Sequence, residues 1–172
     1  MTYYDLWFRG PLGHMRLIAT EAALAGMYLS DHEGGPEPEA EPGRDHPVLL
    51  ATRAQLDEYF TGRRTTFDLP LDPLGTEFQR AVWRALCEIP FGETRSYKAL
   101  ATSIGRPQAM RAVGAANGRN PISIIVPCHR VIGADGSLVG YAAGTERKKW
   151  LLHHEQAVLS RELFPPAPYR GE

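Results

Sequence analysis

A cysteine followed directly by a histidine, Cys128-His129, sits inside Pro127-Cys128-His129-Arg130. A thiol beside an imidazole is the smallest kit for a soft nucleophile. Only the thiolate attacks, and a nearby base or cation lowers the thiol pKa. A buried structural cysteine with an unrelated neighbour is the competing reading of the pair alone. The apolar run Ile122-Ser123-Ile124-Ile125-Val126 reads as a buried strand, which would put the sulfur where that strand leaves the core. Downstream, Glu155 follows Leu151 by one helical turn, so its carboxylate can turn inward with the apolar face. A buried carboxylate needs a partner, and His129 is a candidate. A solvated glutamate at a helix end is the plainer alternative.

Arg111 is the other residue placed for a task. In the helical stretch Gln108–Asn117, Ala109, Val113 and Ala116 fall at core spacing. Arg111 is two residues from both Ala109 and Val113, about 200° around the helix, so it points outward. Gly114, Ala115 and Gly118 leave that face nearly bare. A long cation on a bare helix suits close approach to a nucleic-acid groove, especially a minor groove into which a side chain can wedge. Tight packing on another helix, with Arg111 on the rim, explains the same pattern. The small-residue loop Ser137–Gly144 around Tyr141 can wall a pocket whose backbone groups read a flat heterocycle.

The elements that must hold these residues divide the chain in two. Tyr3–Phe8, His14–Ala19 and Leu24–Leu29 read as an antiparallel three-strand meander. Asp31–Pro47, rich in Glu, Pro and Gly, reads as a mobile acidic loop. Val48–Phe60 reads as a helix closed by Gly62, and Phe67–Leu71 as an extended piece leading into a linker. In the second half, Thr76 and Gln79 spell a capping box. Phe78, Ala81, Val82, Ala85, Leu86 and Ile89 then trace an amphipathic helix, with Cys87 a core or boundary residue near its end. Ser96 caps a short helix, Tyr97–Ile104, ended by Gly105, and Pro107 opens Gln108–Asn117. The pair reads as a helix-turn-helix. Thr145 caps a last helix, Glu146–Glu155, with Trp150, Leu151 and His154 on its apolar side.

Composition excludes several classes. The 172 residues, 43% hydrophobic and 23% charged, suit a modest core in one domain or two small ones. No run approaches the roughly 20 apolar residues that span a bilayer, and the N-terminus shows no secretory pattern. Two cysteines make no disulfide framework and suit a reducing, cytoplasmic setting. The six histidines show no metal-ligand spacing, so no metal is expected. The formal charge of −1 hides an asymmetry: residues 1–72 sum to −6 and residues 73–172 to +5. A basic second half that meets a polyanion is one reading of that split, and a basic surface that binds nothing is the other.

Pro127-Cys128-His129-Arg130-Val131-Ile132-Gly133, preceded by Gly118-Arg119-Asn120-Pro121, resembles the DNA repair methyltransferases that act on 6-O-alkylguanine. The likeness extends through Pro90–Tyr97, Arg111-Ala112-Val113-Gly114, Gly140-Tyr141 and Lys149-Trp150-Leu151-Leu152 to Glu155. It is dense over residues 74–155 and loose over the first third. It implies an α/β ribonuclease-H-like domain over 1–72 and a mainly α, winged-helix-like domain carrying the helix-turn-helix over 73–172. By the same resemblance Cys128 is the alkyl acceptor, and His129, acting through a water, removes its proton. Glu155 orients that histidine, Asn120 braces the turn, and Tyr97 donates to a guanine ring nitrogen. Arg111 fills the gap left by a flipped nucleotide, on a DNA face that includes Ala112, Gly114, Ala115 and Gly118. Tyr97, Val131, Tyr141 and Ala142 enclose the base.

The partner implied is double-stranded DNA containing alkylated guanine. No cofactor, membrane or obligate protein partner is implied, and the protein is expected to act as a monomer, once per molecule. Two rivals remain: a non-enzymatic lesion sensor, which Cys128 argues against, and a Cys-His-Glu hydrolase, which would release product repeatedly.

Overall fold

The computed structural model describes residues 1–30, 37–138, 141 and 144–160. Strands β1 (Tyr4–Gly10), β2 (Gly13–Ala19) and β3 (Leu24–Leu29) form the expected meander, with Leu6 opposite Leu17 and Met15 opposite Leu29. Met15 and Leu17 enter the core, while the intervening Arg16 turns away to an ion pair with Asp5 at 2.8 Å. The stretch read as an acidic loop is not loop throughout. Residues 31–36 lie outside the described ones, but β4 (Glu41–Pro42) pairs parallel with β1, giving a sheet ordered β3-β2-β1-β4. Two residues of pairing are too few to leave a period-2 signal, so composition alone pointed to a loop. Helix α1 (Pro47–Phe60) packs on the sheet; His46 caps it, and Pro47 opens it where its missing N–H costs nothing.

In the second half the Thr76–Gln79 capping box forms in both directions and starts α2 (Glu77–Cys87). Val82, Leu86 and Ile89 are buried as the spacing predicts, joined by Trp83, whose Nε1 donates to the Ala116 carbonyl at 2.8 Å. Cys87 ends the helix exposed. Ser96 accepts from the Ala99 amide and caps α3 (Tyr97–Ser103). Helix α4 (Met110–Gly118) begins two residues later than its sequence suggests. Pro107 lies in a turn whose Ala109 amide bonds the Arg106 carbonyl, and no side chain caps the helix. Helix α5 (Thr145–Ser160) starts at Thr145 and runs five residues past Glu155. A two-strand parallel pair, β5 (Arg95–Ser96) with β6 (Val131–Ile132), ties the helix-turn-helix to the segment after Cys128.

The apolar run before the cysteine is not a strand. Only Ile122 bridges to β3, through Met27; residues 123–125 then turn, and Ile124 sits at φ 70°. A β-branched residue in that region is strained and must be held by its surroundings. Here they hold it: Ile122 through Val126 are buried, and the Val126 amide bonds back to the Ile122 carbonyl at 3.0 Å. Continuous burial reads the same whether the backbone is extended or folded back, which is why the pattern suggested a strand.

The two halves meet over a built surface. The free edge of β3 takes the linker on one stretch (Leu24 with Leu71) and Ile122 on another. Arg147 of α5, fully buried, donates from Nε to the Leu12 carbonyl in the β1–β2 turn at 3.0 Å.

Candidate active site

Cys128 opens a short 3₁₀ turn, Cys128–Arg130, that runs directly into β6. The residue is 4% exposed. Burial pushes its thiol up to about 11, against the downward pull of Asn120 and the Lys148 charge. Asn120 fastens the turn beneath it. Its amide nitrogen donates to the Val126 carbonyl at 2.7 Å, and its oxygen accepts from the Ile122 amide at 3.0 Å. That brace explains how a strained Ile124 persists four residues before the sulfur.

His129 is fully buried with Nε2 2.8 Å from Glu155 Oε2, so the inward turn of Glu155 and its pairing with His129 are both present. Glu155 accepts more than that pairing required. Tyr59 Oη donates to Oε2 at 2.6 Å, the Gly92 amide to Oε1 at 3.0 Å, and Arg130 grips both oxygens. Burial pushes the carboxyl upward, but the His129 and Arg130 charges and hydrogen bonds outweigh it and hold the group well below the usual carboxylate range. His129 is pulled down from its ordinary value, chiefly by burial. An ionised carboxylate only accepts, so a neutral His129 must donate from Nε2 and carry its lone pair on Nδ1. Nδ1 is buried and has no hydrogen-bond partner among the described residues.

Tyr97 and Tyr141 border the sulfur. Burial first, and the neighbouring Cys128 second, push both hydroxyls up, so each keeps its proton and is a donor. Tyr141 stands edge-on to His129 at 6.5 Å, and Ser123 acts on its buried hydroxyl as a hydrogen-bonding neighbour, pulling it down against burial. Val131 is buried beyond the turn. Ala142 lies outside the described residues, as do Val139, Gly140 and Ala143 of the same loop.

The sequence reading missed three polar groups. Tyr59 reads as one more aromatic on an amphipathic helix. Arg130 was visible inside the motif, but its grip on Glu155 was not. Lys148, also fully buried, donates to the Val131 carbonyl at 2.5 Å; burial lowers it to about 8 although Cys128 favours its charge. Asn117 is a fourth buried polar residue; its amide acts on the Tyr97 hydroxyl as a hydrogen-bonding neighbour and pulls it down against burial.

Helix α4 presents Arg111, Ala112 and Ala115 to solvent, with Gly114 and Gly118 half-buried at the edge of that face. Met110, exposed next to Arg111, adds an apolar side chain. A methyl group built on Gly114 would meet the Tyr97 ring at an ordinary 3.8 Å, so Tyr97 is not what demands glycine there. The whole places a thiol, a proton acceptor and two phenolic donors beside a helix-turn-helix. That equipment fits proton removal from sulfur followed by attack on carbon.

Comparison with known proteins bears on both halves. Residues 77–157 match the 6-O-methylguanine DNA methyltransferase DNA binding domain, and residues 2–73 match the ribonuclease-like domain of the same name. A methylated-DNA–protein-cysteine methyltransferase of Mycobacterium leprae is 58% identical over 161 residues, covering 90% of this chain and 94% of the relative. One from Methanosarcina barkeri is 48% identical over 154 residues, covering 90% and 97%. The Mycobacterium tuberculosis OGT solved in complex with DNA superposes with a TM-score of 0.81 at 44% identity, covering 92% of this chain and 94% of that one.

Proposed function

The chain belongs to the 6-O-methylguanine DNA methyltransferase family, and from that premise we propose that it repairs DNA by moving an alkyl group from the 6-oxygen of guanine irreversibly onto Cys128. The observation that carries this is the buried Cys128-His129-Glu155 arrangement beside the helix-turn-helix, in which the Glu155 hydrogen bond to His129 Nε2 leaves the lone pair on Nδ1.

The division of labour follows. Residues 1–72 are scaffold, and residues 73–172 bind DNA and carry the reaction. Helix α4 lies against the duplex with Arg111 entering the stack, while Ala112, Gly114, Ala115 and Gly118 let the backbone come close. The target atom is out of reach inside a stacked duplex, so the nucleotide is extruded at a cost on the order of a few kcal/mol. Tyr97, Val131, Tyr141 and Ala142 receive the base.

With the thiol near 11, about one molecule in ten thousand carries a thiolate at pH 7 in the free protein. Attack therefore requires the proton to leave as the base arrives. The proton passes to His129 Nδ1 through a water, and Glu155, already anionic, stabilises the imidazolium. Lys148 beside the sulfur favours the thiolate by its charge. The sulfur attacks the alkyl carbon in line, the carbon–oxygen bond breaks, and its electron pair goes to the guanine oxygen. Tyr97, donating to a ring nitrogen, disperses that charge as it develops. The product is a thioether, which nothing in the site can hydrolyse, so each molecule reacts once. A sensor that only binds the lesion has no use for a nucleophile and its acceptor in this register.

Intact mass and peptide mapping after incubation with a methylated duplex test the assignment. One methylene on the Cys128 peptide, saturating at one equivalent, is expected. Continued product release, or label on another residue, overturns it.

A further inference from the structure

Glu155 Oε2 takes two donors at once: His129 Nε2 at 2.8 Å and the Tyr59 hydroxyl at 2.6 Å. Tyr59 belongs to α1, in the half that supplies none of the reacting groups, 96 residues before the carboxylate it meets. Its ring is fixed on several sides, edge-on to Phe60, Phe91 and His154 and tilted against Phe67. Its own carbonyl accepts from His154 Nε2 at 2.8 Å, so backbone and side chain of one residue address consecutive residues of α5. A fully buried hydroxyl anchored in this way is a fixed part of the site.

We propose that Tyr59 is a positioning residue for the transfer reaction, holding the Glu155 oxygen that orients His129 and drawing off part of its charge. The inference rests on the alkyl-transfer reading above. Burial, and then Glu155 itself, hold the Tyr59 hydroxyl well above its ordinary value, so it stays protonated and donates. It therefore competes with the imidazole for the same oxygen. Charge drawn toward the phenol is withheld from His129, which keeps the ring neutral at rest and its Nδ1 open to accept a proton. The other groups around the pair are Arg130 from the 3₁₀ turn, Lys148 and His154 from α5, Cys128, and Tyr141. Of the groups named here, Tyr59 alone belongs to the N-terminal half. By this route the integrity of that half reaches the basicity of the proton acceptor.

Tyr59→Phe keeps the ring and removes the donor. The readouts are the His129 ring titration by ¹⁵N NMR and the single-turnover transfer rate against pH on a methylated duplex. Both the titration and the acid limb of the rate are expected to move up by about 0.5–1 pH unit, a part of the worth of one hydrogen bond to a charged group, because the change reaches the imidazole through Glu155. Placing 3-fluorotyrosine at position 59, a stronger donor, should move both down. Superimposable curves across the three proteins overturn the proposal. If the phenylalanine variant fails to fold, tyrosine against fluorotyrosine decides: a downward shift supports it and no shift overturns it. A wild-type protein that transfers nothing sinks the functional reading instead, while the NMR titration still reports on Tyr59.

Discussion

Arg130 grips both oxygens of Glu155, Nε to Oε1 at 2.9 Å and Nη2 to Oε2 at 3.0 Å, from within the same turn that carries Cys128 and His129. Its remaining nitrogen, Nη1, donates to the Ile89 carbonyl at 2.8 Å, which ties the end of α2 to the pair. Removing one partner of a buried ion pair leaves the other charge uncompensated, at about 3–5 kcal/mol. Arg130→Met should lose stability of that order in urea unfolding. Arg130→Lys should recover little of it, because a single ammonium cannot span both oxygens and the carbonyl. A loss below about 1 kcal/mol for Arg130→Met would mean the carboxylate is solvated.

Acid should weaken the fold in two stages. His129 and His154 are both held below the ordinary 6.5 by burial, so the unfolded chain takes up their protons first. Stability is then full above 6.5 and falls as pH drops below it, by about 1.4 kcal/mol per pH unit for each proton taken up on unfolding. Glu155, depressed from 4.5, adds a second loss that begins below that value and continues as pH falls toward its folded-state pKa. Denaturant midpoints measured from pH 7.5 to 5 should show the first slope, and His154→Gln should halve it. A midpoint flat across that range contradicts the buried, neutral histidines.

Much of this arrangement is local in sequence, and that part was legible. The meander, the Thr76–Gln79 box and the outward Arg111 each depend on residues within a few positions of one another. The Glu155 partnership could be anticipated because burial of Leu151 drags a carboxylate inward that then needs a donor. What escaped depends on distant chain. Tyr59 and Arg130 reveal their tasks only once α1 and the 3₁₀ turn meet α5. Lys148 shares a helical stripe with Leu151 and Glu155, a cue that was present but reads as a solvated cation, because charged helix residues usually are. It is buried here because α5 is covered by both halves. Ile124 could not be foreseen at positive φ, since steric preference opposes it and only the Asn120 brace explains it.

Replacing the nucleophile separates binding from chemistry. Cys128→Ala should bind a methylated duplex as the wild type does and acquire no methyl label. Label on the alanine variant would move the acceptor to another residue, and loss of binding would mean the sulfur also shapes the DNA site.

The basic half makes a salt prediction. Affinity for DNA should fall steeply as salt rises, because each phosphate neutralised releases a counterion. Arg111→Ala should slow transfer and weaken flipping far more than it weakens binding to undamaged duplex. A fluorescent base analogue opposite the lesion reports the flip directly. Equal losses in flipping and in nonspecific binding would reduce Arg111 to a phosphate contact.

Asn117 connects the Tyr97 donor to the fold beneath it. Its side chain is buried, and its amide acts on the Tyr97 hydroxyl as a hydrogen-bonding neighbour, drawing it partway back down against burial. Asn117→Leu keeps nearly the same volume and removes that amide. The Tyr97 hydroxyl should then rise further, which an ultraviolet titration of the phenol reads, and alkyl transfer should slow because the phenol is a poorer donor. A variant with an unchanged phenol titration and an unchanged transfer rate would show that the amide neither tunes Tyr97 nor takes part in reading the base.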